Sequence, residues 1–217
     1  YSVAFAPQGR TIALGGGDGK IRLVNATDGV ASKTLDGHTA VVNQLIYSRS
    51  GKLLLSVGLD GNAQLWSADK GAIVMTIAGG NSAVTSVSFS PDEREVAVGS
   101  SDGSVRIVDV ESKSWSRIVV NPKGNRNDVS VAVAFTPQGD QILVGMGGYY
   151  VFLDPKRTQD FVTDGSRYPT ITAFNVKGQP VFSSDGKMLS LGDGVLYSAV
   201  TRQSICYLVQ NGPQYSK

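Results

Sequence analysis

The chain has one cysteine, one histidine and no long apolar run, and each shortage removes a class of function. A lone Cys206 forms no internal disulfide, so no disulfide framework staples the fold and a reducing compartment is permitted. It also lacks any base nearby in sequence, so an inert strand thiol is the expected reading. With His38 as the single histidine, histidine-based catalysis beyond one residue is excluded, and a zinc site would depend mainly on carboxylates. The sequence contains no cluster with metal-ligand spacing, so neither a metal nor another cofactor is expected. No apolar run approaches the roughly 18–20 residues of a membrane span, so no membrane partner is expected. The N-terminus, YSVAFAPQG, shows neither an initiator methionine nor a signal-peptide pattern. With 20 Lys+Arg against 18 Asp+Glu the formal charge is +2, so net charge forces no polyanionic partner.

What is present is glycine, 26 residues of it, and many short apolar runs such as TIAL, KLLLSV, AQLW, AIVMTI and QILVG. These runs are rich in Val and Ile and are separated by Gly, Asp, Ser, Asn and Pro, the pattern of an all-β chain with many short strands. No stretch of ten or more residues carries convincing helical periodicity. The glycine run LGGGDGK at 14–20 invites comparison with phosphate-binding loops. The phosphate loop, however, needs glycine where Leu14 stands and a hydroxyl where Ile21 stands. The dinucleotide fingerprint fails at Lys20, which occupies its third glycine slot. The stretch is therefore expected to turn a corner.

Aligned against itself, the chain repeats. An aromatic residue recurs at Phe5, Tyr47, Phe89 and Phe135, at steps of 42, 42 and 46. Asp18-Gly19, Asp60-Gly61 and Asp102-Gly103 each follow that aromatic by 13 residues, and Gly147-Gly148 follows it one residue early. A row of three aspartates suggests acid–base or metal chemistry, but recurrence at one turn of successive units makes them turn-formers. A period near 42 with four antiparallel strands per unit matches a propeller blade of about 40–45 residues. A fifth unit is read from TITAFNV, PVFSS, KMLSL, VLYSAV and SICYLV. The expected fold is all-β: a β-propeller of four-stranded antiparallel blades, with about five blade units at about 1–37, 38–80, 81–126, 127–168 and 169–217.

The segment GHTAVVNQLIYSRSGKLLLSVGLDGNAQLWS resembles a tryptophan–aspartate (WD) repeat. The resemblance is strong over 1–112 and looser beyond. It implies a buried structural tetrad of His38, Ser56, Asp60 and Trp66. In the next unit Gly80, Val98 and Val108 occupy the His, Ser and Trp slots, and in the first Leu14 and Val24 replace Ser and Trp. Those units are expected to rely on apolar packing. Family members usually close with seven blades or so, roughly 280–315 residues at about 40–45 each. The chain is therefore expected to form part of a larger ring, with the remaining arc supplied by blades N-terminal to Tyr1 or by a partner chain. A five-bladed ring is the less favoured alternative.

No Gly-x-Ser-x-Gly elbow occurs and no catalytic residue is assigned, so the chain is expected not to be an enzyme. The resemblance implies a partner-binding face where the innermost strands begin, at Tyr1, Asn43, Thr85 and Val131, joined by Gly17, Leu59 and Ser101 before the turn aspartates. Leu59 stands out as an apolar residue beside a tight turn, whose exposure would call for a partner. Local packing against the neighbouring blade is the equal alternative. The expected role is a non-catalytic scaffold binding other proteins within an intracellular assembly, cytoplasmic or nuclear. The alternative is an RNA-associated propeller using basic loops at 113–126 and 156–157, with Lys123, Arg126, Lys156 and Arg157 as contacts.

Overall fold

The computed structural model describes residues 2–79, 82–122, 131–146, 149–157, 159–161, 170–172, 180–183, 185–191, 195–201 and 204–207. Every regular element among them is a strand, and the strands form five consecutive antiparallel sheets, the blades of a propeller. Sheet 1 holds β1 (Ser2–Phe5), β2 (Thr11–Gly15), β3 (Ile21–Asn25) and β4 (Ala31–Leu35). Sheet 2 holds β5 (Val42–Tyr47), β6 (Leu53–Gly58), β7 (Ala63–Ser67) and β8 (Ala72–Ile77). Sheet 3 is built from β9 (Val84–Phe89), β10 (Glu95–Ser100), β11 (Val105–Asp109) and β12 (Ser114–Pro122). Sheet 4 starts with β13 (Ala132–Phe135), β14 (Ile142–Met146) and β15 (Tyr149–Leu153). Next come β16 (Gln159–Phe161) and β17 (Thr170–Thr172); β17 completes sheet 4, whereas β16 runs parallel along the outer edge of β12. Sheet 5 comprises β18 (Val181–Phe182), β19 (Met188–Ser190), β20 (Val195–Ser198) and β21 (Ser204–Tyr207).

Two expectations change here. Thr170–Thr172, read above as the opening of the fifth unit, pairs instead with β15 as the outer strand of sheet 4. The fifth sheet opens at β18, and Phe182 takes the place of the recurring aromatic. In each sheet the fourth residue after that aromatic closes a tight turn with its N–H. The carbonyls of Ala6, Ser48, Ser90, Thr136 and Ser183 accept from residues 9, 51, 93, 139 and 186 at 2.8–2.9 Å. Those closing residues all have positive φ, 61–74°. Four are glycine, which adopts that conformation without penalty; the fifth is Glu93 at 61°. The second change concerns the basic loop expected over 113–126. Ser114–Pro122 is a strand paired with β11, because the Val- and Ile-rich run continues the sheet.

Each gap between consecutive sheets is filled by its own apolar cluster. Leu54 and Trp66 face sheet 1 beside Ala13, Ile21 and Leu23. Their neighbours Leu55 and Leu65 face sheet 3 beside Val96, Val98 and Val108. Central strands buried on both faces need an unbroken apolar run, which explains why β6 reads LLLSVG and not an alternation. Sheets 3 and 4 enclose Ile107, Phe135 and Val144, and sheets 4 and 5 enclose Tyr150, Leu189 and Tyr197. Sheet 1 differs on its other face. Val3 is 59% exposed and Leu14 38% exposed, whereas the equivalents Leu45 and Val87, and Ser56 and Val98, are buried. Phe5 is 64% exposed, against 7% at Phe135.

Polar tethers also join the turns of adjacent sheets. Gln8 donates its amide to the Ser50 carbonyl at 2.7 Å, and Gln138 donates to the Asp185 carbonyl at 3.4 Å. Between sheets 2 and 3 the glutamine slot is Ser50, and the glycine slot of the next turn is Glu93. Here Glu93 reaches back, accepting from Ser50 N–H and from Ser50 Oγ at 2.7 Å. Burial alone would raise the Glu93 pKa, but the Ser50 hydrogen bonds outweigh it and hold it below its usual value.

Candidate functional site

The best-formed polar cluster lies in sheet 2, and it begins with a glycine. A side chain at Gly37 would meet Trp66 Cη2 at 2.7 Å, so only glycine lets the chain cross the indole and deliver His38. The Gln64 amide fixes that crossing by donating to the Gly37 carbonyl at 2.8 Å. His38 Nδ1 then lies 2.9 Å from Asp60 Oδ2, and its Nε2 lies 2.7 Å from Ser56 Oγ. Trp66 Nε1 donates to the same Ser56 oxygen at 2.8 Å. An ionised Asp60 only accepts, so Nδ1 carries the shared proton; in the neutral imidazole Nε2 accepts from the serine hydroxyl. Every polar atom of the chain from indole to carboxylate is thereby satisfied. All four side chains implied by the WD resemblance are brought together, and His38, Ser56 and Trp66 are buried.

Asp60 also shapes its own turn, accepting from Asn62 N–H at 3.1 Å and from Thr39 N–H at 3.0 Å. Burial would push its carboxyl up, yet these bonds and the one to His38 bring it below the usual carboxylate value. The other turn aspartates make the same local bond to the residue two ahead, Lys20 N–H for Asp18 and Ser104 N–H for Asp102. They are turn-formers, as their recurrence implies. Their remaining partners differ. Asp18 pairs with Arg22 at 2.6 Å, and that guanidinium holds its pKa down at about 2. Asp102 takes Ser82 Oγ at 3.1 Å, a partner not singled out from the sequence. In sheet 3 the Ser and Trp slots are Val98 and Val108, both buried among apolar neighbours, so apolar packing replaces the polar brace there. In sheet 1, by contrast, Leu14 stays partly exposed because nothing among the described residues covers it.

The bracing matters for what lies next to it. Leu59, immediately before the braced turn, is 65% exposed, so it does not pack against the neighbouring blade. Its backbone is fixed by a 2.8 Å bond from Leu59 N to the Val41 carbonyl. Asn43 is the extra residue of a bulge in β5, between the pairs Val42–Gly58 and Gln44–Val57, and is exposed. A bulge re-aims its residue away from the ladder. Thr85 is the equivalent bulged residue of β9, but its hydroxyl donates to the Val131 carbonyl at 2.8 Å. Val131, expected on the binding face, is buried at 1% exposure; it packs in the core between sheets 3 and 4 and anchors Thr85 from below. Ser101 Oγ accepts from Ala83 N–H at 3.0 Å. Leu59, Asn43, Thr85 and Ser101 thus all sit at the ends of β5, β6, β9 and β10 nearest the Asp-Gly turns. Tyr1 lies outside the described residues.

Lys123 and Arg126 lie outside the described residues. Lys156 and Arg157 are exposed on the turn after β15, where Arg157 Nε lies 3.4 Å from Asp154. Among the described residues no group of three or more His, Cys, Asp and Glu is placed to hold a metal. No helix among them is long and apolar enough to cross a membrane.

Comparison with known proteins agrees with this geometry. Residues 1–25, 29–67 and 71–109 match the family described as WD domain, G-beta repeat. Across these three segments the chain is made of WD repeats. It is similar to COMPASS component SWD3 of Saccharomyces cerevisiae, 31% identical over 126 residues, covering 53% of this chain and 40% of that protein. Eukaryotic translation initiation factor 3 subunit I of Scheffersomyces stipitis is 27% identical over 143 residues, 63% of this chain and 39% of the relative. Small ribosomal subunit protein RACK1 of Caenorhabditis elegans is 34% identical over 116 residues, 52% of this chain and 34% of the relative. The matches therefore span between a third and two fifths of those relatives' lengths. By their names these relatives are a component of COMPASS, a subunit of an initiation factor and a protein of the small ribosomal subunit.

Proposed function

We propose that this chain is a non-catalytic scaffold within an intracellular multiprotein assembly, and that it docks a partner protein on the face carrying Leu59, Asn43, Thr85 and Ser101. The observation that carries the reading is Leu59: a large apolar side chain, 65% exposed, on a turn braced from below by a satisfied polar network. A rigid apolar anchor loses little ordering entropy on docking, which is what a preformed binding surface requires. Relatives named as components and subunits of larger assemblies support the class of function. We also propose that a further sheet of the same repeat, from this polypeptide or a partner chain, covers Val3, Phe5 and Leu14. Positions equivalent to Val3 and Leu14 are buried by the preceding sheet in sheets 2, 3 and 4.

The test is quantitative affinity purification from cells, comparing the wild type with Leu59→Asp and Asn43→Arg. Loss of an anchor of this kind costs about 1–2 kcal/mol, so affinity for at least one protein partner should fall roughly five- to thirtyfold. Thermal stability should stay unchanged, because both side chains are exposed. An identical set of bound proteins in every variant overturns the assignment of this face.

A further inference from the structure

The outer strands of the sheets differ in how their free edges are guarded. An outer strand presents unpaired N–H and C=O groups, and proteins protect such edges with lysine, proline or a covering segment. In β4, ASKTL, Lys33 stands at the midpoint and the first four residues are exposed. The edge of β12 is covered by β16, with Val120 opposite Gln159. β8, AIVMTI, has neither device: it carries no charge and no proline, and among the described residues it pairs with β7 alone. Ile73 on it is 44% exposed, and Val74 and Met75 are only partly buried. A register shift leaves Val74 as an extra residue, but the same shift leaves Ser32 extra in β4, so it does not distinguish the two edges.

We propose that β8 pairs antiparallel with β8 of a second copy of this chain across a two-fold axis. Two-fold pairing sets the middle of a strand against itself. For β4 this would oppose Lys33 to Lys33, and like charges directly opposite are destabilising. For β8 it sets Val74 opposite Met75 of the copy and Ile73 opposite Thr76, with no charge among them. A formal charge of +2 over 217 residues sets up little long-range repulsion between copies. Each copy spends its one β8 edge, so pairing through this edge closes at the dimer. One six-residue strand per copy buries well under the ~1,200 Å² of a standard interface, so the dimer forms and dissociates with concentration.

Sedimentation velocity on the 217-residue chain, from about 5 µM to about 500 µM, tests this over the range where small interfaces titrate. The expected result is a monomer–dimer shift that the double variant Ile73→Lys/Thr76→Lys abolishes and that Val30→Lys, at an exposed residue between β3 and β4, leaves intact. A dimer that survives the double variant, or growth beyond the dimer, overturns the proposal. Hydrogen exchange on the wild type gives a second reading that needs no variant: protection of the Ala72–Ile77 amides should rise with concentration. A chain that stays monomeric, with those amides protected only when another protein is added, also overturns self-pairing and gives the edge to a foreign strand.

Discussion

Sheets 2 and 3 share a register and a turn but stabilise themselves by different chemistry. In sheet 2 the slots are filled by His38, Ser56 and Trp66 around Asp60; in sheet 3 Val98 and Val108 fill the Ser and Trp slots around Asp102. Both place the aspartate at the same turn and bury the same β-strand positions. The fold of a blade therefore needs the repeat spacing and two buried faces, and the polar brace is an addition to it. A fully satisfied buried network specifies one arrangement, whereas apolar contacts tolerate small adjustments. The brace sits under the turn that exposes Leu59, and the apolar substitute sits under Ser101, whose hydroxyl is already spent on Ala83.

The largest effect should come from Leu45→Asp, which buries an unpaired charge between sheets 1 and 2 and is expected to prevent stable folding. Val3→Asp, at the equivalent exposed position of sheet 1, should change stability by no more than about 0.5 kcal/mol in urea titrations of the same chain. Equal losses would show that the two faces are equally covered. Next comes Trp66→Ala, at about 3–5 kcal/mol. Its counterpart Val108→Ala removes far fewer buried atoms and should cost clearly less.

Ser56→Val tests whether the two chemistries are interchangeable. It imports the sheet 3 residue but strands His38 Nε2 and Trp66 Nε1, so a loss of about 1–3 kcal/mol is expected. A neutral result would reduce the brace to decoration. The pH response follows from Asp60. Its folded pKa is lowered, so its stabilisation is present above the unfolded value of about 3.9 and is lost as pH falls through the lower folded value. Asp60→Asn should be less stable at neutral pH and show a smaller acid-induced loss below about pH 4 than the wild type. The smallest effect separates strain from tethering at Glu93. Glu93→Ala keeps the positive φ and loses both Ser50 bonds; Glu93→Gly loses the same bonds but relieves the strain. Glycine should therefore be the milder change, by about 1 kcal/mol.

Spacing made the blades legible: an aromatic, a tight turn and an Asp-Gly at fixed offsets mark each of the first three sheets. The tetrad was equally legible because His38, Ser56, Asp60 and Trp66 occur together in one repeat. What escaped was long-range. The return of β16 to β12 and the pairing of β17 with β15 depend on partners tens of residues away, which local periodicity does not encode. Residue type alone likewise places Val131 at a strand start without revealing that the neighbouring sheet covers it. Two misses had signals in the sequence. Phe182 followed four residues later by Gly186 repeats the Phe5–Gly9 spacing and marks the true start of the fifth sheet. Glu93 in a slot otherwise held by glycine, opposite Ser50 in the slot that Gln8 and Gln138 hold in sheets 1 and 4, announces a tether running in the reverse direction.

The central claim is that the polar brace of sheet 2 holds the Leu59 turn in place. Native-state hydrogen exchange at the Leu59 and Asn62 amides, compared between the wild type and Ser56→Val, tests it most directly. The expected result is faster exchange at both amides in the variant, with Ser101 and Ser104 in sheet 3 unchanged. Unchanged exchange at Leu59 and Asn62, in a variant that has lost the serine, would contradict it.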